Sequence, residues 1–154
     1  MKCSGKLYLV FLLVAACTPT ESVYRQLNGP PLRFSDLQGT VILINYWAVW
    51  CKPCREEIPV LNRLQKNYPD QVKVLAVNFD RVTGEKLQIH AQKLGIEFSI
   101  LLDDPRERFA IKPSGVLPET LVINKKGKLS RVLLGPQTEN NLKSILIELQ
   151  ANTP

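Results

Sequence analysis

Residues 41–46, Val-Ile-Leu-Ile-Asn-Tyr, form an apolar and largely β-branched run, and Trp50-Cys51-Lys52-Pro53-Cys54 follows a few residues later. The run reads as a buried strand. Two cysteines spaced in this way can close into a small disulfide ring and reopen without much backbone movement. Pro53 suits the first turn of a helix, where a missing N–H would have had no partner anyway. A helix N-terminus carries partial positive charge and Lys52 adds a full one. Both favour a thiolate at Cys51, the species that attacks disulfides. Strand, short turn, CxxC and helix together predict a redox site.

At 154 residues the chain is long enough for one domain with a real core and too short for two comfortable ones. Residues 1–16 are expected to stand outside that core. Lys2 and Lys6 make a positive start, and residues 7–16 (LYLVFLLVAA) a short apolar run ending in small residues. Such a run is too short to span about 30 Å of hydrocarbon as a helix, so it reads as a signal peptide. Val14-Ala15-Ala16-Cys17 resembles a bacterial lipobox. That implies cleavage before Cys17 and diacylation of its thiol; the other reading is ordinary signal cleavage nearby, with Cys17 a spare thiol. Residues 17–26 then form a lipidated tether and 27–154 the domain, held at a membrane of the bacterial cell envelope and facing the periplasm or extracytoplasmic space. Thr18, where many such lipoproteins carry aspartate, favours outer-membrane sorting where the cell has an outer membrane.

With Cys3 removed and Cys17 lipidated, Cys51 and Cys54 are the pair left of the four cysteines. One CxxC does not make a disulfide-stapled scaffold, so a redox-active pair is the better reading. The net charge of +6 drops by two once Lys2 and Lys6 leave, and reads as a solvated surface. The densest basic cluster, Lys125-Lys126-Gly127-Lys128, sits at a turn between apolar runs without interleaved aromatics, and gives no reason to expect nucleic acid.

Along the chain, residues 32–34 and the 36–39 turn suggest a short strand or hairpin leading into the 41–46 strand. A helix is expected from Cys54 to about Tyr68, with Ile58, Leu61 and Leu64 facing the sheet and Pro59 kinking it. Residues 72–78 read as a central parallel strand, 83–94 as a helix closed by Gly95, and 98–102 as a strand followed by an irregular acidic stretch at 103–107. Residues 120–124 and 128–134 are expected to form an antiparallel hairpin. A last helix follows Thr138 as N-cap, with Leu142, Ile145, Leu146 and Leu149 on one face. This order implies an α/β fold: a central mixed β-sheet flanked by helices on both faces.

The stretches Asn45-Tyr-Trp-Ala-Val-Trp-Cys-Lys-Pro-Cys-Arg-Glu-Glu-Ile-Pro59 and Gly115-Val-Leu-Pro-Glu-Thr-Leu-Val-Ile-Asn124 resemble the thioredoxin superfamily. More narrowly they resemble its membrane-tethered TlpA/ResA/CcmG (DsbE) branch. The resemblance runs from about Leu27 to the end and implies a thioredoxin-like fold. It makes Cys51 the exposed nucleophile and Cys54 the buried resolving thiol. Pro59 takes the place of the family's kink proline, and Pro118 that of a cis-proline opposite the disulfide, whose neighbouring backbone pairs with substrate. Trp50, Lys52, Pro53, Leu117, Pro118 and Glu119 are thereby candidate substrate-binding residues. Asn45 stands where thioredoxin has a buried aspartate, and asparagine cannot accept a proton. Glu57 is then either the base for Cys54, directly or through water, or a solvated first-turn glutamate; burial would raise its pKa. Glu119 is either a functional acid or a surface charge flanking Pro118. The resemblance further implies protein substrates carrying disulfides or thiols, reduction as the favoured direction, a DsbD/CcdA-type membrane reductase as electron donor, no cofactor and a monomer. Apocytochrome c cysteines and copper-site assembly proteins are the expected kinds of client.

Other readings are weaker. Half a zinc site lacks a second cysteine pair, and His90 is expected to be an exposed helical residue, so no metal is expected. A Sco-type copper chaperone needs CxxxC. A peroxiredoxin needs threonine or serine where Ala48 stands. A purely structural disulfide gains little entropy from so small a ring. Disulfide formation, and a non-enzymatic peptide-binding module built on the groove around Pro118, remain open. Trp50 is expected to shield the Cys51 thiolate and Trp47 to pack.

Overall fold

A computed structural model of the protein describes residues 21–151. The expected signal peptide, Cys17 and the first part of the tether lie outside the described residues. Five strands form one sheet: β1 (Val41–Trp47), β2 (Val72–Asn78), β3 (Ser99–Leu101), β4 (Glu119–Ile123) and β5 (Leu129–Leu134). Their spatial order is β3-β2-β1-β4-β5. β1, β2 and β3 run parallel, and β4 pairs antiparallel with both β1 and β5, so the sheet is mixed. Three α-helices accompany it: α1 (Lys52–Asn67), α2 (Gly84–Leu94) and α3 (Glu139–Ala151).

Every residue of β1 and β4 is buried, which explains their largely apolar make-up: both faces of the sheet are covered. α1 presents Cys54, Glu57, Ile58, Leu61 and Leu64 inward, a stripe at three- and four-residue spacing, and continues through the exposed Pro59 as one element. α2 ends at Gly95, whose left-handed backbone (φ 67°) lets its N–H bond back to the last turn. α3 is capped by Thr138, the residue before it, whose Oγ1 accepts the Asn141 N–H at 3.2 Å. In the β4–β5 hairpin the Asn124 side chain accepts the N–H groups of Lys126 and Lys128.

The covering of the two faces differs from the simple expectation. Leu87 and Ala91 of α2 share one core with Ile58 and Leu61 of α1 and with Leu142 and Ile145 of α3. Both β–α–β crossovers step the same way across the sheet, so two right-handed connections land on the same face. The opposite face is covered by 3-10 turns at Phe34–Leu37 and Pro105–Phe109 and by the N-terminal segment. Tyr24, Phe34 and Phe109 stack edge to face there, with ring centroids 5.1 and 5.3 Å apart.

Two local expectations change as a result. The N-terminal hairpin shrinks to a single bridge, Tyr24 to Leu32, and residues 34–37 turn as a 3-10 helix rather than extending as strand. Residues 21–26, assigned above to the tether, lie against the domain. Gln26 bridges Leu101 at the edge of β3, and Arg25 pairs with Asp103 at 2.6 Å. This short antiparallel contact covers an otherwise open strand edge.

Candidate active site

The dithiol site grows out of the end of β1. The Trp47 carbonyl accepts the Phe79 N–H, and the Ala48 carbonyl accepts the Cys51 N–H at 3.1 Å. The Arg55 guanidinium reaches back to the Val49 carbonyl at 2.7 Å, tying the intervening turn to the first turn of α1. Cys51 is the N-cap of that helix, and its sulfur accepts the Cys54 N–H at 3.2 Å. The two sulfurs are bonded at 2.03 Å, with Cα atoms 5.3 Å apart. Cys51 is nearly buried, at 4 % exposure, rather than openly exposed as the resemblance implies, and Cys54 is wholly buried; of the two, Cys51 alone keeps any surface for an incoming sulfur. Lys52 and Arg55 are exposed, and the first turn of α1 holds no acid. Helix terminus and cations therefore act together to favour a thiolate at Cys51 once the bond is opened. Pro53 is half-buried beside them.

Trp47 is fully buried, as expected for packing, whereas Trp50 is 60 % exposed. The Trp50 indole N–H donates to the Asp80 carboxylate at 2.9 Å, and its ring meets Phe79 edge to face. These contacts hold the tryptophan next to Cys51 and join the β2–α2 loop to the site.

Consecutive residues at the end of β1 feed polar clusters on opposite faces of the sheet. Asn45, facing the helices, donates from Nδ2 to Glu57 Oε2 at 2.8 Å and to Thr120 Oγ1 at 2.9 Å. The other Glu57 oxygen accepts the Gln137 backbone N–H at 3.0 Å. Glu57 is 1 % exposed, so the solvated first-turn alternative does not hold. Burial pushes its carboxyl up to about 7, against the opposing pull of those two hydrogen bonds. Glu57 follows Cys54 by three residues on α1, a spacing that places the two side chains on one helix face.

On the other face, Tyr46 donates to Asp104 Oδ1 at 2.7 Å. The Arg106 guanidinium lies 3.6 Å over the Tyr46 ring and reaches both Glu119 oxygens, at 3.1 and 2.7 Å. Glu119 is 2 % exposed. It is thus neither a surface charge nor a side chain free to touch substrate: both its oxygens are committed to Arg106. Arg106, Asp104 and Tyr46 are functional-site neighbours that the sequence reading missed. They sit in a stretch read as irregular, and no local spacing links them to Glu119.

The Leu117–Pro118 peptide bond is cis, as the resemblance implies. Pro118 is buried and its carbonyl accepts the Gly135 N–H at 2.9 Å. Glu119 pairs in register with Tyr46, so the 115–118 segment arrives at the end of the sheet from which the CxxC turn leaves. Leu117 packs against the core that contains both cysteines, and Val116 is 45 % exposed. His90 is half-buried rather than exposed, and its Nδ1 has no bonding partner among the described residues. Among those residues no group of His, Cys, Asp and Glu is placed to hold a metal ion, and no helix is long and apolar enough to cross a membrane.

A profile of the AhpC/TSA family matches residues 14–132. The chain belongs to the AhpC/TSA family. Within this thioredoxin-like family it is similar to the thiol-disulfide oxidoreductase ResA of Geobacillus thermodenitrificans, at 34% identity over 84% of this chain and 74% of the relative. ResA of Geobacillus kaustophilus is 33% identical over 82% of this chain and 72% of its own length. Among solved structures, a thiol:disulfide interchange protein of the thioredoxin family from Chlorobium tepidum superposes with a TM-score of 0.65 at 25% identity, covering 88% of this chain and 99% of that one. With its CxxC pair at 51 and 54, the family member described here is a thiol–disulfide oxidoreductase of thioredoxin-like fold.

Proposed function

We propose that this oxidoreductase is exported, held at a membrane through lipid on Cys17, and reduces disulfides in partner proteins. The observation that carries the reading is the arrangement at the head of α1: one cysteine keeping a sliver of surface, one wholly buried, and a buried carboxyl on the same helix face whose pKa burial pushes up to about 7. The reduced Cys51 thiolate attacks one sulfur of a client disulfide, forming a mixed disulfide and releasing the client's other sulfur as a thiolate that takes up a proton. Cys54 then loses its proton and attacks Cys51 Sγ. The Cys51–Cys54 disulfide forms, the second client sulfur leaves as a thiol, and two electrons have passed to the client. Glu57 is the group that accepts the Cys54 proton, directly or through one water, because its pKa lies where both protonation states are populated at neutral pH.

Glu57 also supports the reducing direction. A carboxylate on the helix face of Cys54 disfavours a thiolate there, so it adds none of the thiolate stabilisation that makes a dithiol protein a strong oxidant. Substrate would lie between Trp50 and the 116–118 segment, against Lys52 and Pro53. A DsbD/CcdA-type reductase would return the dithiol, and apocytochrome c cysteines or a copper-site assembly protein are the clients that the family resemblance favours. The direction is tested by quenching cells in acid and alkylating free thiols. A reductant is expected mainly as the dithiol; a chain found mainly as the disulfide would make it an oxidant.

Glu57→Gln should remove the limb of the pH–rate profile near pH 7 in the resolving step, measured by single-turnover mixing. The same group sets a stability signature. Its folded pKa of about 7 stands above the ordinary 4.5, so between those values the folded state holds a proton that the unfolded state has lost. Stability therefore falls as pH rises through that window, by on the order of 3 kcal/mol in all. Urea melts of Glu57→Gln across pH 4–8 should lack this slope.

A further inference from the structure

A cavity of about 590 Å³ opens at the carboxyl ends of β2 and β3. Its floor is apolar, with Val77, Leu87 and Leu101, and Phe79 stands both in its lining and against the Trp50 ring. Phe79 thus joins the cavity to the tryptophan that precedes Cys51 in the chain. Concave sites with an apolar floor and a few polar groups are where ligands bind, and in open parallel sheets they lie at the carboxyl ends of the strands.

The charges around the cavity are unequal in what they have left to give. Asp103 is paired with Arg25. Asp104 accepts from the Tyr46 hydroxyl and the Arg106 N–H, and Arg106 is bound to Glu119 through both guanidinium arms. Asp80, next along the loop, is turned to the Trp50 indole. Arg81 alone of the charged lining residues has no side-chain partner among the described residues. It also sits in left-handed backbone at φ 55°, a conformation that glycine or asparagine adopts more readily. Positions of this kind cluster at ligand clamps, where the side chain is worth the strain. A second cavity of about 500 Å³ shares Arg81, Asp104 and Arg106 with the first. The exposed Glu107 and Lys112 on that side offset each other.

We propose that this cavity is a client-binding subsite, in which Arg81 selects an acidic side chain flanking the client's reactive cysteine. The inference rests on the reading that the protein reduces polypeptide disulfides, and it adds a preference for the sequence around them. The apolar floor takes the client's neighbouring aliphatic or aromatic side chain, and the unpaired guanidinium at the rim takes the carboxylate.

The test uses the purified full chain in its dithiol form and two disulfide-bonded peptides that differ only in a Glu or a Lys close to the cysteine. At low salt the Glu peptide should be reduced with kcat/KM about five-fold higher, the difference lying in KM and shrinking at high salt. Arg81→Asn, which suits the left-handed backbone and should melt no lower than the wild type, should bring the ratio close to one, and Arg81→Glu should invert it. Arg81→Gly serves as a second neutral variant should Arg81→Asn fold poorly. Equal rates for the two peptides in the wild type, or a preference that survives Arg81→Asn, would overturn the proposal. Hydroxyethyl disulfide, which carries no charge, reports the wild-type dithiol chemistry separately: failure to reduce it would count against the reductant reading itself.

Discussion

Cys51→Ser should lower disulfide exchange by on the order of a thousandfold or more, because no other sulfur of the pair reaches the surface to begin the reaction. Cys54→Ala should behave differently. The first attack survives, the resolving sulfur is missing, and clients remain bound to Cys51 as mixed disulfides. Non-reducing electrophoresis followed by mass spectrometry reads both outcomes and names the clients. Capture by Cys54→Ala that disappears in the Cys51→Ser/Cys54→Ala double variant would establish the order of the two sulfurs. An active wild type whose Cys54→Ala variant traps nothing would speak against this order. Full complementation by Cys51→Ser would leave only the peptide-binding alternative.

The largest stability effect is expected at Arg106. Its guanidinium and the Glu119 carboxylate are 7 % and 2 % exposed and meet at 2.7 Å. Arg106→Leu leaves Glu119 buried without its cation, which costs about 3–5 kcal/mol. Adding Glu119→Leu removes the stranded charge and should return most of that loss, since an apolar pair of similar volume often replaces a buried ion pair at little cost. Urea denaturation of the two single variants and the double variant gives the coupling directly. If Arg106→Leu alone cost under 1 kcal/mol, the pair would not be holding the strand that follows Pro118. Activity should separate from stability in the double variant: the sheet is restored, but Asp104 and Tyr46 have lost the cation between them.

Much of this architecture was legible before any coordinates. The strands read at 41–46, 72–78, 120–124 and 128–134 announce themselves by their apolar residues and the turn between the last two, and α1 by its stripe of Ile58, Leu61 and Leu64. Glu57 lies on that same stripe, between Cys54 and Ile58, so its burial follows from the helical period. Its hydrogen bonds do not, because Asn45 and Gln137 come from distant parts of the chain. The covering of the second face was hidden for a similar reason. The 3-10 turns at 34–37 and 105–109 are too short to show a period, and their aromatic contacts with Tyr24 join segments far apart in sequence. Arg106 and Glu119 are 13 residues apart across an irregular loop, where no spacing rule applies. Polar residues whose partners are set by tertiary approach were the part that the chain kept to itself.

The alternation of Glu119 and Thr120 has a consequence for assembly of the sheet. β4 is buried on both sides, and Leu121, Val122 and Ile123 would fill either face about equally well. Apolar patterning therefore cannot tell the native alignment of β4 on β1 from one displaced by a single residue. The two polar residues can. A one-residue slip that set Glu119 in the place of Thr120, opposite Asn45, would carry it across to Glu57, crowding two buried carboxylates together, and would leave Arg106 without its carboxylate. The ion pair on one side and the amide on the other thus act as a two-pronged key, accepting the strand in one position and rejecting its mirror placement. Because Pro118 immediately precedes the key, the same discrimination decides where the 115–118 segment comes to rest at the end of the sheet from which the CxxC turn leaves.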